Sequence, residues 1–243
     1  MRLLAIDSGN SRIKWGVYED GEWKARDVMA AARSADLNEQ WRELAAPDRI
    51  LVAHVGSERG ALDIARALEC FTALPTWIVS RQQQCGVCSS YAEPAQLGPD
   101  RWAALIGAHF LYDGPAVVVN AGTTLTVDAL TSAGIFLGGF IVPGYTLMRE
   151  SLSRNTARLK VQEGSFSFFP DNTGDAIASG AANALAGAID RMTRYVKDAG
   201  EGDAMVLLSG GDAAILQALL SVSMQVVDNL VLEGIVRIGV DGV

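Results

Sequence analysis

The sequence predicts an α/β protein of two similar lobes, each a mixed sheet with helices over its faces, and a ligand cleft between them. Three observations carry this. Three hairpin-like strands followed by alternating helices and strands occur twice along the chain. A clear break, Tyr112-Asp113-Gly114-Pro115, separates the two runs. A strand-turn-strand around Asp7-Ser8-Gly9-Asn10-Ser11 returns as Asn120-Ala121-Gly122-Thr123-Thr124, and residues 7 and 120 lie 113 apart in a chain of 243. Such a duplication makes the space between the lobes the natural ligand site. The lobes are expected at residues 1–113 and 114–243.

Within the first lobe, strands are expected over Arg2 to Asp7, Arg12 to Tyr18 and Trp23 to Met29, with Asp20-Gly21 turning the last two as a hairpin. Asp36 is placed to cap a helix reaching about Ala46. Ile50 to Val55 reads as a short buried strand. Leu62 to Phe71 reads as an amphipathic helix, and Thr76 to Val79 as a strand. Residues 81–99, with Pro94, Gly98 and Pro99, read as loop; a helix then runs from Asp100 to about Leu111.

The second lobe repeats the order. Strands are expected over Ala116 to Asn120, Leu125 to Leu130 and Phe136 to Ile141. Helices follow from Tyr145 to Asn155 and from Thr173 to Lys197. Strand Met205 to Leu208, helix Ala213 to Leu220, strand Met224 to Val227 and helix Leu230 to Ile238 complete the chain.

Composition removes whole classes of function. Hydrophobic residues make up 49% and charged residues 20%, so the chain can bury a core and is not disordered. Twenty Lys and Arg against 28 Asp and Glu leave a net charge of -8, which argues against nucleic-acid and membrane surfaces. No apolar run reaches the ~18 residues of a membrane span. An acidic residue as early as Asp7 speaks against a secretory signal. Three cysteines, an odd number, point to a reducing cytoplasm. Cys85-Gly86-Val87-Cys88 is a lone CxxC flanked by loop-like residues, and reads as incidental thiols. His54 and His109 read as core or surface histidines.

The chemistry concentrates in the two glycine turns. Glycine lets a backbone approach an anion closely with bare N–H groups, and neighbouring hydroxyls add donors. Asp7 at a strand end suits a Mg²⁺ held through water, and Lys14 on the next strand suits a phosphate. No Walker pattern is present, and a strand rather than a helix follows. Leu97-Gly98-Pro99-Asp100-Arg101-Trp102 is a second candidate. Asp100 is either a helix cap or a base for a substrate hydroxyl, and Arg101 can clamp a carboxylate. Spacing alone leaves both open. Gly138-Gly139 and Pro143-Gly144 read as a strand end and a helix entry, and Ser209-Gly210-Gly211-Asp212 suits either a tight turn or close approach to a nucleotide base or ribose.

Taken together, these segments resemble the type III pantothenate kinases of the acetate and sugar kinase, Hsp70 and actin superfamily. The resemblance rests on Asp7 to Lys14, Leu97 to Trp102, Asn120 to Asp128, Gly138 to Gly144, Asn172-Thr173 and Ser209 to Asp212, in that order along nearly the whole chain. It implies two ribonuclease H-like lobes, a homodimer, and ATP-dependent phosphorylation of pantothenate with Mg²⁺. It implies ATP-binding positions at Asp7, Ser8, Gly9, Asn10, Ser11, Arg12, Ile13, Lys14 and Thr123. Asp100 matches the general base. Tyr91, Gly98, Pro99, Asp100, Arg101 and Thr173 match pantothenate-binding positions, with Thr173 at the subunit interface. Many members carry Asp where this chain has Asn120, and there it binds a monovalent cation such as K⁺ or NH₄⁺. Asn keeps a carbonyl ligand and loses the charge. Some members were first described as accessory factors of a regulator, so a non-catalytic ATP-fold factor, or a kinase of another small hydroxy acid, is the alternative function.

Overall fold

β1 (Arg2–Ser8) is apolar from Leu3 to Ile6 and buried on both faces, as a strand in the middle of a covered sheet must be. It pairs antiparallel with β2 (Arg12–Glu19), which pairs antiparallel with β3 (Glu22–Ala30). On its other side β1 runs parallel to β4 (Arg49–His54), and β4 parallel to β5 (Pro75–Trp77). The sheet order is therefore β3-β2-β1-β4-β5. The edge strand β3 is mostly exposed, while β4 is buried at Ile50, Leu51, Val52 and Ala53. The computed structural model describes residues 1–155 and 163–241.

α1 (Leu37–Trp41), α2 (Glu58–Leu68) and α3 (Pro99–Leu111) cover this sheet, with a short hairpin of β6 (Gln83–Gln84) and β7 (Val87–Ser89) before α3. Trp41 on α1 meets Trp15 on β2 edge to face, with ring centroids 6.3 Å apart, in a core that also holds Leu4, Ile6, Val52 and Ile64.

Next, β8 (Ala116–Ala121), β9 (Thr124–Leu130) and β10 (Ile135–Pro143) form an antiparallel run. β11 (Met205–Ser209) joins β8 in parallel, and β12 (Met224–Val226) joins β11. The order β10-β9-β8-β11-β12 repeats that of the first sheet, strand for strand. α4 (Tyr145–Asn155), α5 (Thr173–Val196) and α6 (Ala213–Gln217) complete this part. Its core joins Val117, Val119 and Val127 to Leu185 and Ile189 of α5. The duplication expected from the glycine turns is thus a duplication of topology. Among the described residues, no helix is long and apolar enough to cross a membrane.

The chain separates into two units, Met1–Tyr112 with the chain from Asn229 onward, and Asp113–Asp228. The final helix α7 (Leu230–Asp241) corrects the expected partition, which gave it to the second lobe. It packs on α3, and a Cβ on Gly234 would collide with the Ala103 carbonyl, so the two helix backbones touch. Glu233 accepts a 2.8 Å hydrogen bond from Trp23 Nε1, and the Gly239 carbonyl accepts one of 2.7 Å from Arg49. A continuous division at 113 misses this because the chain crosses back after Asp228.

Three further expectations change. Asp36 does not cap a helix. It ends a 3₁₀ segment that leads straight into α1, has helical φ and ψ, and accepts from Arg33 Nε at 2.8 Å. α2 begins four residues before Leu62, capped by Ser57, whose Oγ accepts from Gly60 N at 3.2 Å. Leu62 faces solvent, and Ile64, Ala67 and Leu68 form the buried stripe. Within 81–99, Cys85 and Gly86 have φ of 49° and 82° and turn the β6–β7 hairpin. Strands this short carry no legible alternation, and cysteine is not an expected residue in such a turn.

Candidate active site

Asp7 stands at the end of β1, cross-strand from Lys14 on β2. Side chains paired this way lie on one face of a sheet. Asp7 is 9% exposed, and no hydrogen bond to its carboxylate is present among the described residues. Burial pushes its pKa up to about 7; the Lys14 charge pulls it down, and the charge of Asp100 raises it further. Asp7, Lys14 and Asp100 therefore share one electrostatic neighbourhood.

The turn after β1 is closed by Gly9 N–H donating to the Arg12 carbonyl at 3.0 Å. Its counterpart after β8 is closed by Gly122 N–H to the Thr124 carbonyl, also 3.0 Å. Ser8 pairs with Ile13 at the first turn and Ala121 with Leu125 at the second, so the second is one residue tighter. Ser8 is buried, and its hydroxyl lies 2.9 Å from His54 Nδ1. That side chain faces the protein, contrary to the expectation that the turn's hydroxyls serve an anion; Asn10, Ser11 and Arg12 are exposed.

Asp100 lies in the first turn of α3, but the cap position belongs to Gly98, with Pro99 next. Its carboxylate is largely buried and its pKa is raised by that burial. Hydrogen bonds from the Arg101 backbone N–H and from its own N–H, and the Arg101 charge, oppose the rise. A carboxyl with a raised pKa is the better proton acceptor near neutral pH. Arg101 is 6% exposed and donates to the Tyr91 hydroxyl at 3.3 Å. Tyr91 is held in turn, its N–H donating to Ser89 Oγ at 3.2 Å. Trp102 is fully buried and donates from Nε1 to Gln84 Oε1 at 3.0 Å. The β6–β7 hairpin thus steadies both Arg101 and Trp102. Sequence reading missed Gln84 because nothing local marks a glutamine whose partner lies 18 residues away.

In the second unit, Asn120 pairs with Thr126 on β9 and Ser209 on β11, and Thr123 is exposed at the tip of the turn. Gly144 N–H donates to the Thr123 carbonyl at 2.9 Å, and a Cβ on Gly144 would strike the Gly122 and Thr123 carbonyls. Asp212 N–H donates to the Ala121 carbonyl at 3.1 Å. The segments at 143–144, read from sequence as a helix entry, and 209–212, read as a tight turn or a close approach to a nucleotide, are therefore braces of the second glycine turn. Thr173 opens α5, which Asn172 caps by accepting from Asp175 N at 2.9 Å. It lines a separate cavity of about 790 Å³ between α4, α5 and residues 170–172, which neither Asn120 nor Thr123 lines.

The donor set suits Mg²⁺. A buried carboxylate without a hydrogen bond gains most from a cation, and Mg²⁺ takes one carboxylate together with water and phosphate oxygens. Among the described residues, no group of three His, Cys, Asp or Glu side chains converges as a closed protein cage would require. Asn120 offers a monovalent cation one amide oxygen and no charge.

The family model for type III pantothenate kinase matches residues 3–195. The chain belongs to the type III pantothenate kinases. Two of its relatives in that family are close over full length. The type III pantothenate kinase of Aromatoleum aromaticum is 46% identical over 233 residues, 96% of each chain. That of Nitrosospira multiformis is 42% identical over 236 residues, 97% of this chain and 90% of its own. Among solved structures, the activator of 2-hydroxyisocaproyl-CoA dehydratase from Clostridium difficile with bound ADPNP shares the fold. Its TM-score is 0.54 at 15% identity, covering 98% of this chain and 92% of that one. This pantothenate kinase therefore shares its two-sheet fold with that activator.

Proposed function

We propose that this type III pantothenate kinase works through Asp7 to Lys14, Asp100 and Arg101. The family reaction, ATP-dependent phosphorylation of pantothenate to 4′-phosphopantothenate at the start of coenzyme A synthesis, is the reaction of this chain. The observation that carries the residue assignment is the shared field of the buried carboxyl of Asp7 and the partly buried one of Asp100, beside Lys14 and Arg101.

Asp100 takes the proton of the 4′-hydroxyl as its oxygen bonds to the γ-phosphorus. The bond from that phosphorus to the β,γ-bridging oxygen breaks, and ADP leaves with the electron pair. Arg101, steadied by Tyr91, pairs with the pantothenate carboxylate, and Gly98 and Pro99 shape the approach to it. Asp7 would hold Mg²⁺ through water, Lys14 would meet the phosphates, and the backbone of the Gly9–Ser11 turn would receive them. Mg²⁺, when bound, neutralises charge on the transferring phosphoryl group. Thr123 binds ATP from the second turn. Asn120 is a weakened monovalent-cation ligand.

The active form is a homodimer, with Thr173 contacting pantothenate across the interface. The cavity beside Thr173 and the exposed small residues Gly180, Ala184 and Gly187 along α5 support this. A cytoplasmic location fits three free cysteines. A panel of small hydroxy acids and sugars, with coupled ADP detection, tests the reading. Pantothenate should exceed every other acceptor in kcat/KM, and an acceptor that outperforms it would overturn the substrate assignment.

A further inference from the structure

His54 ends β4 level with Ser8 of β1 and has no part in the chemistry above. Its Nε2 lies 3.2 Å from the Ser57 carbonyl, which can only accept, so Nε2 carries the hydrogen. In the neutral ring Nδ1 is then the acceptor, and the Ser8 hydroxyl 2.9 Å away donates to it. The Ser8 carbonyl accepts from Val55 N–H at 2.9 Å. Both polar ends of Ser8 are thereby tied to His54-Val55. The imidazole is itself braced by Trp77, edge on, with centroids 5.9 Å apart. Gly56 lies close enough that a Cβ there would stand 3.2 Å from the Gly9 carbonyl, so the segment after β4 abuts the glycine turn.

We propose that His54 is a positioning residue for the first phosphate turn: it accepts the buried Ser8 hydroxyl and so holds the Gly9–Ser11 backbone in the shape that receives the phosphates of ATP. This rests on the reading of Asp7 to Lys14 as that turn. Without the acceptor, Ser8 must turn its hydroxyl elsewhere, and the backbone beside it moves. The effect belongs to ATP, because the Arg101 clamp is held by the β6–β7 hairpin instead.

The test is steady-state kinetics of the full-length enzyme. His54→Phe keeps a ring against Trp77 and removes the acceptor. It should raise the KM for ATP about tenfold, leaving the KM for pantothenate unchanged and kcat within about threefold. His54→Asn places Oδ1 where Nδ1 stood and should restore most of the loss. Ser8→Ala should match His54→Phe, and the double variant should be no worse than either, since both remove one interaction. Should His54→Phe fail to fold, Ser8→Ala and His54→Asn carry the test: a raised ATP KM in the first beside a near-normal one in the second supports the role, and any other pattern overturns it. Lys14→Ala separates the two levels. If it leaves the ATP KM unchanged, the reading of the turn itself fails. If it raises the ATP KM while His54→Phe does not, or if His54→Phe weakens both substrates alike, only the role of His54 falls.

Discussion

Asp7 and Lys14 face one another across the antiparallel pair of β1 and β2, yet the Asp7 carboxyl holds its proton up to about pH 7. The lysine lowers that pKa, but burial outweighs it. A carboxylate left in this condition costs the folded state free energy that a bound cation recovers. The pair is better arranged for a ligand than for the stability of the protein alone.

Stability should therefore depend on pH through Asp7. An unfolded Asp ionises near 3.8, and the folded one near 7. Between these values the unfolded state has released its proton and the folded state has not, so stability falls as pH rises and levels off above 7. Asp7→Asn should remove this fall. In magnesium-free buffer at pH 8 it should be more stable by a few kcal/mol, and inactive. Melting temperatures from pH 5 to 8 measure this; an Asn variant that melts below the wild type at pH 8 contradicts it.

Asp100→Asn should lower turnover by ~10²- to 10⁴-fold, the usual contribution of a positioned base, and leave ATP binding nearly intact. Gly98, not Asp100, is the cap residue of α3, so little stability should be lost. Turnover and ATP affinity in the same variant check the claim. Near-normal turnover would reduce Asp100 to a structural residue.

Potassium dependence should be shallow. The amide of Asn120 lacks the charge that offsets dehydration of the ion. Activity across potassium concentrations at fixed ionic strength should change little, and Asn120→Asp should make it steeper. An absolute requirement in the wild type would show that other groups complete the site.

Thr173→Ala should weaken pantothenate far more than ATP, by the ~1–3 kcal/mol of a lost buried hydrogen bond. Light scattering should give a dimer at assay concentration. A fully active monomer would remove the interface role of Thr173, and equal losses for both substrates would remove its assignment to pantothenate.

The sequence by itself determined the duplicated order of strands and helices, because apolar runs, turn residues and the paired motifs at 7–11 and 120–124 are local. It likewise determined the family, through Asp7 to Lys14 and Gly98 to Arg101. Only the tertiary structure decided where the last helix packs, since that depends on Gly234 meeting Ala103, 131 residues earlier. It alone decided that burial, rather than Lys14, governs the ionisation of Asp7. It alone turned Ser8 inward to His54 and set Gly144 and Asp212 against the second glycine turn. The physical reason is the same in each case. Propensity and periodicity act over a few neighbours along the chain. Desolvation, backbone contact and hydrogen-bond partnership act between residues that only folding brings together.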